Sequence, residues 1–349
     1  MKIQALFLVT QVNGHGGIPR FNRNIIKSID EKTVDYSVLS LNDTTSNSIK
    51  GFNKSKLSFI FYFIKKVLFN KIDLVIIGHV NLVILSIIKM IKPSTKVVVI
   101  LHGVEAWKEI KKDSFSIKKV DKYWAVSSYT KNTFSKLNNV PKQKMEQIFN
   151  TIPTIWENEK VTNERKNYFF SVTRLDSNEK YKGIDKIIEA MNNMKPFLIE
   201  NNFKFIAVVS GDDIDRHLHL IKEYELESII EFKSNLDDSS LQDLYKNCSF
   251  FILPSSGEGF GIVFLEAMLF KKACIGSVNC GTEDVINNNE TGYLIEPTVE
   301  NIQDKIQDFI SNNEKCIEMG EKGYQKLHQE FTFKNFQKKI NTLVLECVE

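Results

Sequence analysis

The chain has 349 residues, of which 42% are hydrophobic and 26% are charged, a composition typical of globular proteins, and the length favours two domains. It has no uncharged apolar run of 18 residues, which argues against a transmembrane helix. Its five cysteines form no C-x-x-C pair. Scattered thiols in a chain without a recognisable secretory leader predict a reduced, cytoplasmic protein.

The net charge of +3 is unevenly distributed along the chain. Residues 1–165 contain 26 basic and 13 acidic residues, whereas residues 166–349 contain 20 basic and 30 acidic residues. The first half therefore carries +13 and the second −10, which indicates an anionic partner for the first half. A membrane surface fits better than nucleic acid, because no nucleic-acid-binding motif occurs and because the two domains predicted below would place the acidic half at the same cleft.

The first half opens with a predicted strand at Ile3–Thr10, a glycine loop and a predicted helix at Phe21–Ile29. Gly14, Gly16 and Gly17 allow a tight turn and close approach of a ligand to the backbone. The spacing is not G-x-G-x-x-G, and no acidic residue follows in the dinucleotide pattern. We therefore discount a nicotinamide-binding site.

The segment Lys54–Lys71, which follows a short strand at Tyr36–Leu41, combines five aromatic residues with five lysines. An amphipathic helix with an aromatic side and a basic rim is typical of segments that lie in a membrane interface. A helix that packs within the domain and leaves its lysines in water explains the same pattern. Both interpretations remain open at this point.

Two apolar, β-branched segments, Ile72–Ile77 and Lys96–Leu101, predict buried parallel strands. His79 follows the first strand and His102 the second. Ligands of open α/β sheets bind outside the carboxyl ends of the strands, so this position favours a functional His102. A histidine there is nevertheless more often part of a polar rim. A further strand at Tyr123–Val126 and a helix follow.

A polar stretch at residues 150–166 predicts a linker, after which strands and helices alternate again. Two such halves predict an α/β fold with two Rossmann-like, doubly wound domains that face each other across a cleft. The predicted strands of the second half are Tyr168–Thr173, Phe205–Ser210, Ile229–Lys233, Phe250–Leu253, Ala273–Ser277 and Gly292–Ile295.

The segment Phe250–Leu269 reads as a buried strand (FFILP), a glycine loop (SSGEGFG) and the start of a helix (IVFLEAML). This arrangement presents backbone N–H groups and a helix dipole to a phosphate. Glu258 and Glu266 could accept hydrogen bonds from sugar hydroxyls. A ligand with phosphate and sugar groups, such as a nucleotide sugar, fits both features. An ordinary βα junction with two solvated glutamates explains this segment alone equally well.

The segment EGFGIVFLE resembles the E-x7-E motif of retaining glycosyltransferases with the GT-B fold, family 4, also called glycosyl transferases group 1. Other segments resemble that family in the same order, and together they cover nearly the whole chain. These segments are GHGGIPR, LHG, VPKQKMEQIFNTIP, SVTRLDSNEKYKGIDKIIEAM, SGDD, NCSFFILPSSGEGFG and CGTEDVINNNETGYLIEP. The chain departs from the pattern where other residues replace glycines that let phosphate or base approach closely. These are Thr151, Thr173, either Asp212 or Asp213, and Cys280.

The resemblance implies a retaining hexosyltransferase that needs neither a metal nor a cofactor beyond a UDP-, GDP- or dTDP-sugar. Arg174 and Lys182 would stabilise the leaving diphosphate, Glu258 would hold the sugar hydroxyls, and His102 would reach the donor sugar. Glu266 would accept from the ribose. The predicted donor-binding residues are Gly16, Gly17, Ser210, Gly211, Asp212, Lys233, Ser256, Gly259, Phe260, Gly261, Ile262, Val263 and Glu266.

The resemblance also implies a division of labour between an acceptor-binding domain at residues 1–160 and a nucleotide-sugar-binding domain at residues 161–330. The last helix, residues 331–349, is expected to pack back toward the first domain. The acceptor would be a glycan or a lipid-linked molecule in bacterial surface polysaccharide synthesis, at the inner face of the plasma membrane. The alternatives are a GT-B sugar-nucleotide epimerase, a soluble transferase that makes small glycosides, and a non-catalytic nucleotide-sugar-binding subunit.

Overall fold

The structure is a computed structural model that describes residues 2–14, 16–46, 48–111, 114–152, 156, 161 and 164–348. The chain forms two compact units, one of residues 1–153 together with 333–349 and one of residues 154–332. The sequence analysis placed the boundary at residue 160 and the start of the last segment at residue 331. His15 and most of the predicted linker at residues 150–166 lie outside the described residues.

The first unit is built on a parallel sheet of seven strands in the order β3-β2-β1-β4-β5-β6-β7. The strands β4 and β5 are almost fully buried, which explains why their sequences are continuous apolar runs. The strands are β1 (Ile3–Val9), β2 (Val34–Ser40), β3 (Ile49–Gly51), β4 (Leu74–Ile77), β5 (Lys96–Leu101), β6 (Lys122–Ala125) and β7 (Met145–Gln147).

The helices of the first unit lie on both faces of this sheet. The connection from β1 to β2 runs toward one edge, whereas those from β3 to β4 and from β4 to β5 run toward the other. Right-handed connections therefore place α1 on one face, and α2 and the 3₁₀ helix Val80–Met90 on the opposite face. The helices are α1 (Gly17–Ser28), α2 (Lys56–Phe69), α3 (Ser114–Lys119) and α4 (Ser128–Asn138).

The second unit is built on a parallel sheet of six strands in the order β10-β9-β8-β11-β12-β13. Phe169 stacks between Phe205 and Phe250, with ring centroids 5.0 and 5.3 Å apart, and this ladder joins the three central strands. The strands are β8 (Tyr168–Arg174), β9 (Lys204–Ser210), β10 (Ile230–Lys233), β11 (Phe250–Ile252), β12 (Ala273–Ser277) and β13 (Gly292–Ile295).

Helices cover both faces of the second sheet, so the predicted fold class of two doubly wound α/β domains is confirmed. The sequence analysis assigned no element to residues 80–90, to β3 or to β7. The helices are α5 (Ile184–Asn193), α6 (Lys195–Glu200), α7 (Ile214–Glu223), α8 (Asp238–Asn247), α9 (Ile262–Leu269), α10 (Val299–Ser311) and α11 (Asn313–Glu330).

The last helix, α12 (Phe333–Val348), belongs to the first unit and packs against α1. The ring of Phe336 meets Phe21 edge to face, with centroids 5.7 Å apart. The Asn341 side chain donates to the Ser28 carbonyl at 2.8 Å and accepts from the Asp30 amide at 3.0 Å. A segment more than 300 residues away in sequence thus ties down the end of α1.

We expect Phe336→Ala to destabilise the first unit by about 3 kcal/mol, because it removes a buried ring and leaves a cavity beside Phe21. Hydrogen exchange of the β1 and β2 amides measures this free energy separately from that of the second unit. Leu345→Ala, on the exposed side of the same helix, is the matched control and should cost less than about 1 kcal/mol. A loss of protection confined to residues 164–332 would contradict the assignment of α12.

Candidate functional site

Most of the predicted donor residues of the second unit lie at or after the carboxyl ends of β8, β9 and β11. One neighbour of β8 is β9, which follows it directly, and the other is β11, which the chain reaches only after β10. Ligands of doubly wound sheets bind at such a reversal of strand order. The loops that leave β8, β9 and β11 carry Arg174, Lys182, Asp212 and Glu258 to this place.

Lys182 and Glu258 form an ion pair at the centre of the site, with 3.1 Å between Nζ and Oε2. Their side chains are only 17% and 19% exposed, so the pair is weakly screened by water. One residue comes from the β8–α5 loop and the other from the β11–α9 loop. A cation and a carboxylate therefore stand side by side at the switch point.

The β8–α5 loop is seated directly on the β11–α9 loop, and this packing fixes Lys182. Gly183 adopts φ +78°, and a Cβ atom there would lie 2.4 Å from the Pro254 carbonyl oxygen. The Ser256 amide donates to the Tyr181 carbonyl at 3.0 Å. A Cβ on Gly257 would lie 2.3 Å from the Tyr181 ring. The sequence analysis assigned no role to Tyr181, Gly183 or Gly257, because KYKG and the glycine loop lie far apart in the sequence and no local pattern shows that they touch.

The glycine loop before α9 is supported from beneath by the 3₁₀ turn Gly281–Asp284. The Gly281 amide donates to the Glu258 carbonyl at 2.7 Å, and a Cβ on Gly281 would lie 1.9 Å from the Gly259 carbonyl oxygen. Gly261 adopts φ +92° at the N-terminus of α9. The loop therefore holds the backbone of residues 259–261 at the positive end of a helix dipole.

Three further residues of α9 and its loop were predicted to contact the donor, and their side chains are buried or half-buried in the protein. Phe260 is buried, and its ring meets Phe331 edge to face at 5.8 Å. Ile262 is buried and Val263 is half-buried. Backbone atoms, rather than the Phe260 ring, are therefore what this loop offers to a ligand.

Glu266 is 2% exposed, and its Oε2 accepts a hydrogen bond from the Tyr245 hydroxyl at 2.7 Å. Tyr245 comes from α8, and its ring also lies near Trp156, with centroids 6.2 Å apart. The sequence analysis did not identify Tyr245, because the distance of 21 residues along the chain gives no sign of this contact. The role of Glu266 as an acceptor for ribose hydroxyls stays a prediction.

Arg174 ends β8 and is the most exposed of the predicted cations of the site. It forms an ion pair with Glu179 in the same loop, and its Nε lies 4.0 Å from Asp176 Oδ2. Lys233 ends the edge strand β10, two strands away from β8, and pairs with Glu231 on the same strand. Arg174 at the end of β8 and Lys182 in the loop that follows thus belong to one segment, whereas Lys233 lies apart from them.

The β9–α7 loop braces the β8–α5 loop through Asp212 and Asp213. Asp212 accepts from the amide and hydroxyl of Ser177 at 2.9 and 3.0 Å, and these bonds hold its pKa below the usual value. A Cβ on Gly211 would lie 2.0 Å from the Leu175 carbonyl oxygen. Asp212, predicted as a donor contact, is thus engaged by Ser177. Ser210 is the last residue of β9, and Gly211 joins it to Asp212.

A network of ion pairs next to the same loop also supports it. Asp213 pairs with Arg216 at 2.7 Å, which lowers the Asp213 pKa, and Arg216 also reaches Asp185 at 2.7 Å. Lys182, Asp185, Asp213 and Arg216 line one cavity. These ion pairs tie α5 to α7 and so hold the segment that presents Lys182.

In the first unit, the predicted residues again lie at the carboxyl ends of adjacent strands. Gly16 (φ +109°) caps α1 after β1, and Gly17 begins that helix. Among the residues that the structure describes, and apart from the chain neighbours of Gly16, no atom lies within 4 Å of a Cβ built on this glycine. His79 follows β4 and His102 follows β5, with their rings 6.1 Å apart.

His102 is held by hydrogen bonds that define its protonation. Its Nε2 lies 2.8 Å from the Gly78 carbonyl oxygen, so Nε2 carries the proton and Nδ1 is an acceptor. The amides of His102 and Gly103 donate to Glu105 at 2.9 and 3.0 Å. Burial lowers the pKa of His102, and burial together with His102 lowers the pKa of His79 to about 4. Both rings are therefore neutral at pH 7.

Among the described residues, no three histidine, cysteine or acidic side chains are grouped so that they could hold a metal ion. Whether the reaction needs a metal stays a prediction of the sequence analysis.

Comparison with known proteins identifies a family for the second unit. Residues 154–326 match the family described as "Glycosyl transferases group 1". The chain is 34% identical to the α-1,3/1,6-mannosyltransferase ALG2 of Dictyostelium discoideum over 123 residues, which are 35% of this chain and 29% of that protein. It is 24% identical to the N-acetyl-α-D-glucosaminyl L-malate synthase of Bacillus anthracis over 273 residues, 74% of this chain and 70% of that enzyme. The match thus spans less than a third of the mannosyltransferase.

Solved structures resemble the whole chain in fold. A crystal structure of Anabaena Alr3699/HepE with UDP and glucose has a TM-score of 0.81 at 16% identity and covers 99% of this chain and 100% of that one. The apo form of the lipopolysaccharide outer core galactosyltransferase WaaB has a TM-score of 0.77 at 20% identity, with 99% of both chains covered. At these identities the likeness concerns the fold.

We expect Gly281→Ala to displace the glycine loop, because its Cβ would meet backbone atoms of Gly259 and Phe260 that cannot move independently. The cost should be roughly 2 kcal/mol, as in other overpacked sites. Faster hydrogen exchange at residues 257–261 and a lower Tm measure it. Gly323→Ala is the control, since its nearest neighbour is the flexible Met268 side chain at 3.1 Å. Equal behaviour of the two variants would contradict the proposed support.

We expect His79→Gln to make the first unit less sensitive to acid. The unfolded histidine binds a proton below pH 6.5, whereas the folded one does so only near pH 4. Lowering the pH from 7 to 5 therefore favours the unfolded state, by about 2 kcal/mol for this residue. Hydrogen exchange of β4 and β5 at both pH values measures the change. His219→Gln, at an exposed site, should keep the wild-type pH dependence; an unchanged dependence in His79→Gln would refute the assignment.

Proposed function

Since the chain belongs to the glycosyl transferases group 1 family through its second unit and has the GT-B fold, we propose that it transfers a hexose-type sugar from a nucleotide diphosphate sugar to a glycan or lipid-linked acceptor. We further propose that the anomeric configuration is retained and that no metal is required. The Lys182–Glu258 pair is the observation that carries this proposal.

The pair matches the two chemical halves of a sugar diphosphate. Lys182 offers three N–H donors and a positive charge to the phosphates, and Glu258, 3.1 Å away, offers acceptors to the sugar hydroxyls. Phosphate and hexose are adjacent in the donor, so the two protein groups must also be adjacent. Their low exposure strengthens both interactions, because less water competes for them.

The neighbouring groups supply stabilisation where charge develops on the leaving diphosphate. Arg174 at the end of β8 and Lys182 in the following loop supply two cations, and the backbone at Gly259–Gly261 adds the dipole of α9. Binding of a diphosphate would draw Arg174 away from Glu179. We propose that the leaving phosphate helps to deprotonate the acceptor on the same face of the sugar, with His102 contacting the donor sugar through its acceptor nitrogen Nδ1.

The ligands and the names of similar proteins support the proposed classes of donor and acceptor. The Anabaena HepE crystals contain UDP and glucose, which supports a nucleotide-sugar donor for this chain. WaaB is named for lipopolysaccharide and ALG2 for mannose transfer. We propose a role in bacterial surface polysaccharide or glycoconjugate synthesis, on the cytoplasmic side of the plasma membrane.

Peripheral binding to an anionic membrane through Lys54–Lys71 is part of this proposal. The helix α2 within that segment turns Leu57, Phe61 and Phe69 toward solvent, beside exposed lysines. A lipid-linked acceptor would be reached from such a position.

We expect Lys182→Ala and Glu258→Ala to impair binding of different parts of the nucleotide sugar. Lys182→Ala should reduce the thermal shift caused by UDP, GDP or dTDP and by their sugars alike, because it removes a phosphate contact. Glu258→Ala should keep the shift by the free diphosphate and lose the extra shift caused by the sugar. Both should lower kcat/KM for sugar transfer by about 100-fold or more, as for loss of other transition-state contacts.

Lys222→Ala, an exposed lysine on α7 of the same unit, is the matched control and should behave like the wild type. Unchanged turnover in both Lys182→Ala and Glu258→Ala would refute the site. The absence of any thermal shift with all three nucleotide-sugar classes in the wild-type protein would refute the donor class.

A further inference from the structure

The helix α2 carries apolar residues on two faces, and only one of them is covered by the protein. Phe59, Phe63 and Val67 are buried in the core beneath the helix. The outward face repeats at helical spacing and is open to solvent, with Phe61 71% exposed. Its members are Leu57, Ile60, Phe61, Ile64, Leu68 and Phe69. A helix that only packs on its own sheet would carry polar residues at these positions.

The 3₁₀ helix Val80–Met90 presents a second outward apolar row, which the sequence analysis did not identify. With three residues per turn, positions three apart in sequence lie on one face. Ile84, Ile87 and Met90 follow this spacing and are all exposed, and Ile91 continues beyond them. Val80, Val83 and Ile88 are buried in the same core that receives α2.

The two outward rows belong to one side of the first unit. Both elements connect strands in the same direction across the sheet, and both contribute to a single core cluster on one face of it. Ten of the 17 large hydrophobic side chains found exposed among the described residues lie on these two elements or directly after them. Such concentration of exposed apolar side chains marks an interaction surface rather than chance exposure.

The charge around this surface identifies the partner. Residues 51–100 contain eight lysines and a single acidic residue, Asp73, which pairs with Lys71. Lys54, Lys56 and Lys65 are exposed, and Lys65 lies between Phe61 and Leu68 on the outward stripe of α2. Asp121 also lies at this surface and pairs with Lys89 of the 3₁₀ helix. A surface on which lysines outnumber carboxylates this strongly would repel a second copy of itself, whereas it attracts anionic lipid headgroups.

No helix among the described residues is long and apolar enough to cross a membrane. We infer that the outward faces of α2 and of the 3₁₀ helix together form a docking surface for an anionic lipid bilayer, with both elements lying in the interface plane. The apolar rows enter the headgroup region and the lysines contact lipid phosphates. This inference extends the membrane part of the proposed function and does not depend on the donor.

The full-length protein is tested by sedimentation with vesicles of phosphatidylcholine, with and without phosphatidylglycerol. Binding is expected only with phosphatidylglycerol and should weaken with added salt. The double variants Phe61→Ser/Leu68→Ser and Ile87→Ser/Met90→Ser should each weaken binding by about tenfold or more, because each removes two large side chains from the interface. Leu218→Ser, at an exposed apolar site on α7 of the second unit, should bind as the wild type does.

A site-specific probe gives an independent readout. The five native cysteines are all buried, so an added surface cysteine can be labelled selectively with a polarity-sensitive fluorophore. A label at Ile87→Cys should shift to the blue with anionic vesicles, whereas a label at Leu218→Cys should not. Wild-type behaviour of Ile87→Ser/Met90→Ser together with an unshifted Ile87→Cys label would overturn the inference and leave α2 as the only contact.

The inference would be overturned if the wild-type protein did not bind anionic vesicles but formed a dimer in size-exclusion chromatography, and if both double variants abolished that dimer. These results would assign the surface to a second copy of the chain. The thermal shift with nucleotide sugars, recorded on the same proteins, keeps the two proposals apart. Vesicle binding without any nucleotide-sugar shift would leave this inference standing and refute the proposed function.

Discussion

The site of the second unit depends on the close approach of backbone segments at one edge of its sheet. Gly183 lies against Pro254, Gly211 against Leu175, and Gly281 against Gly259, in each case at distances that leave no room for a side chain. These contacts stack the loops after β8, β9 and β11 and the turn after β12 on one another. Because the loops are locked in this way, Lys182 and Glu258 can face each other with little freedom, which an electrostatic site requires.

In the first unit, too, the predicted site residues lie at the carboxyl ends of parallel strands, but their side chains differ. Its switch-point edge carries neutral, buried histidines instead of ion pairs, and Glu105 fixes the backbone after β5. On one face of its sheet, α2 and the 3₁₀ helix leave apolar side chains exposed to water. Such exposure costs solubility and is retained where a surface has a partner. The second unit thus carries a polar cluster with ion pairs, and the first unit an exposed apolar surface with lysines around it.

Sequence reasoning succeeded where a residue's role follows from local pattern. Strands such as Lys96–Leu101 and Ala273–Ser277 were predicted with their observed limits, because buried parallel strands are continuous apolar runs bounded by turn residues. It missed β3 and β7, which are three residues long and carry too few positions for a period to emerge. It also missed the 3₁₀ helix, because VNLVILSIIKM lacks the polar positions that reveal a helical period.

The sequence by itself determined the two βα-alternating halves and the family resemblance, and it predicted that Arg174, Lys182, Glu258 and Glu266 serve one ligand, since each of these depends on motifs within short segments. Only the tertiary structure decided their partners. Lys182 forms an ion pair with Glu258, Glu266 accepts a hydrogen bond from Tyr245, and Asp212 accepts hydrogen bonds from Ser177. Lys233 lies away from the other predicted cations and pairs with Glu231. Pairing depends on distances between loops far apart in the chain, and these are fixed by strand order and backbone packing, which no local pattern encodes.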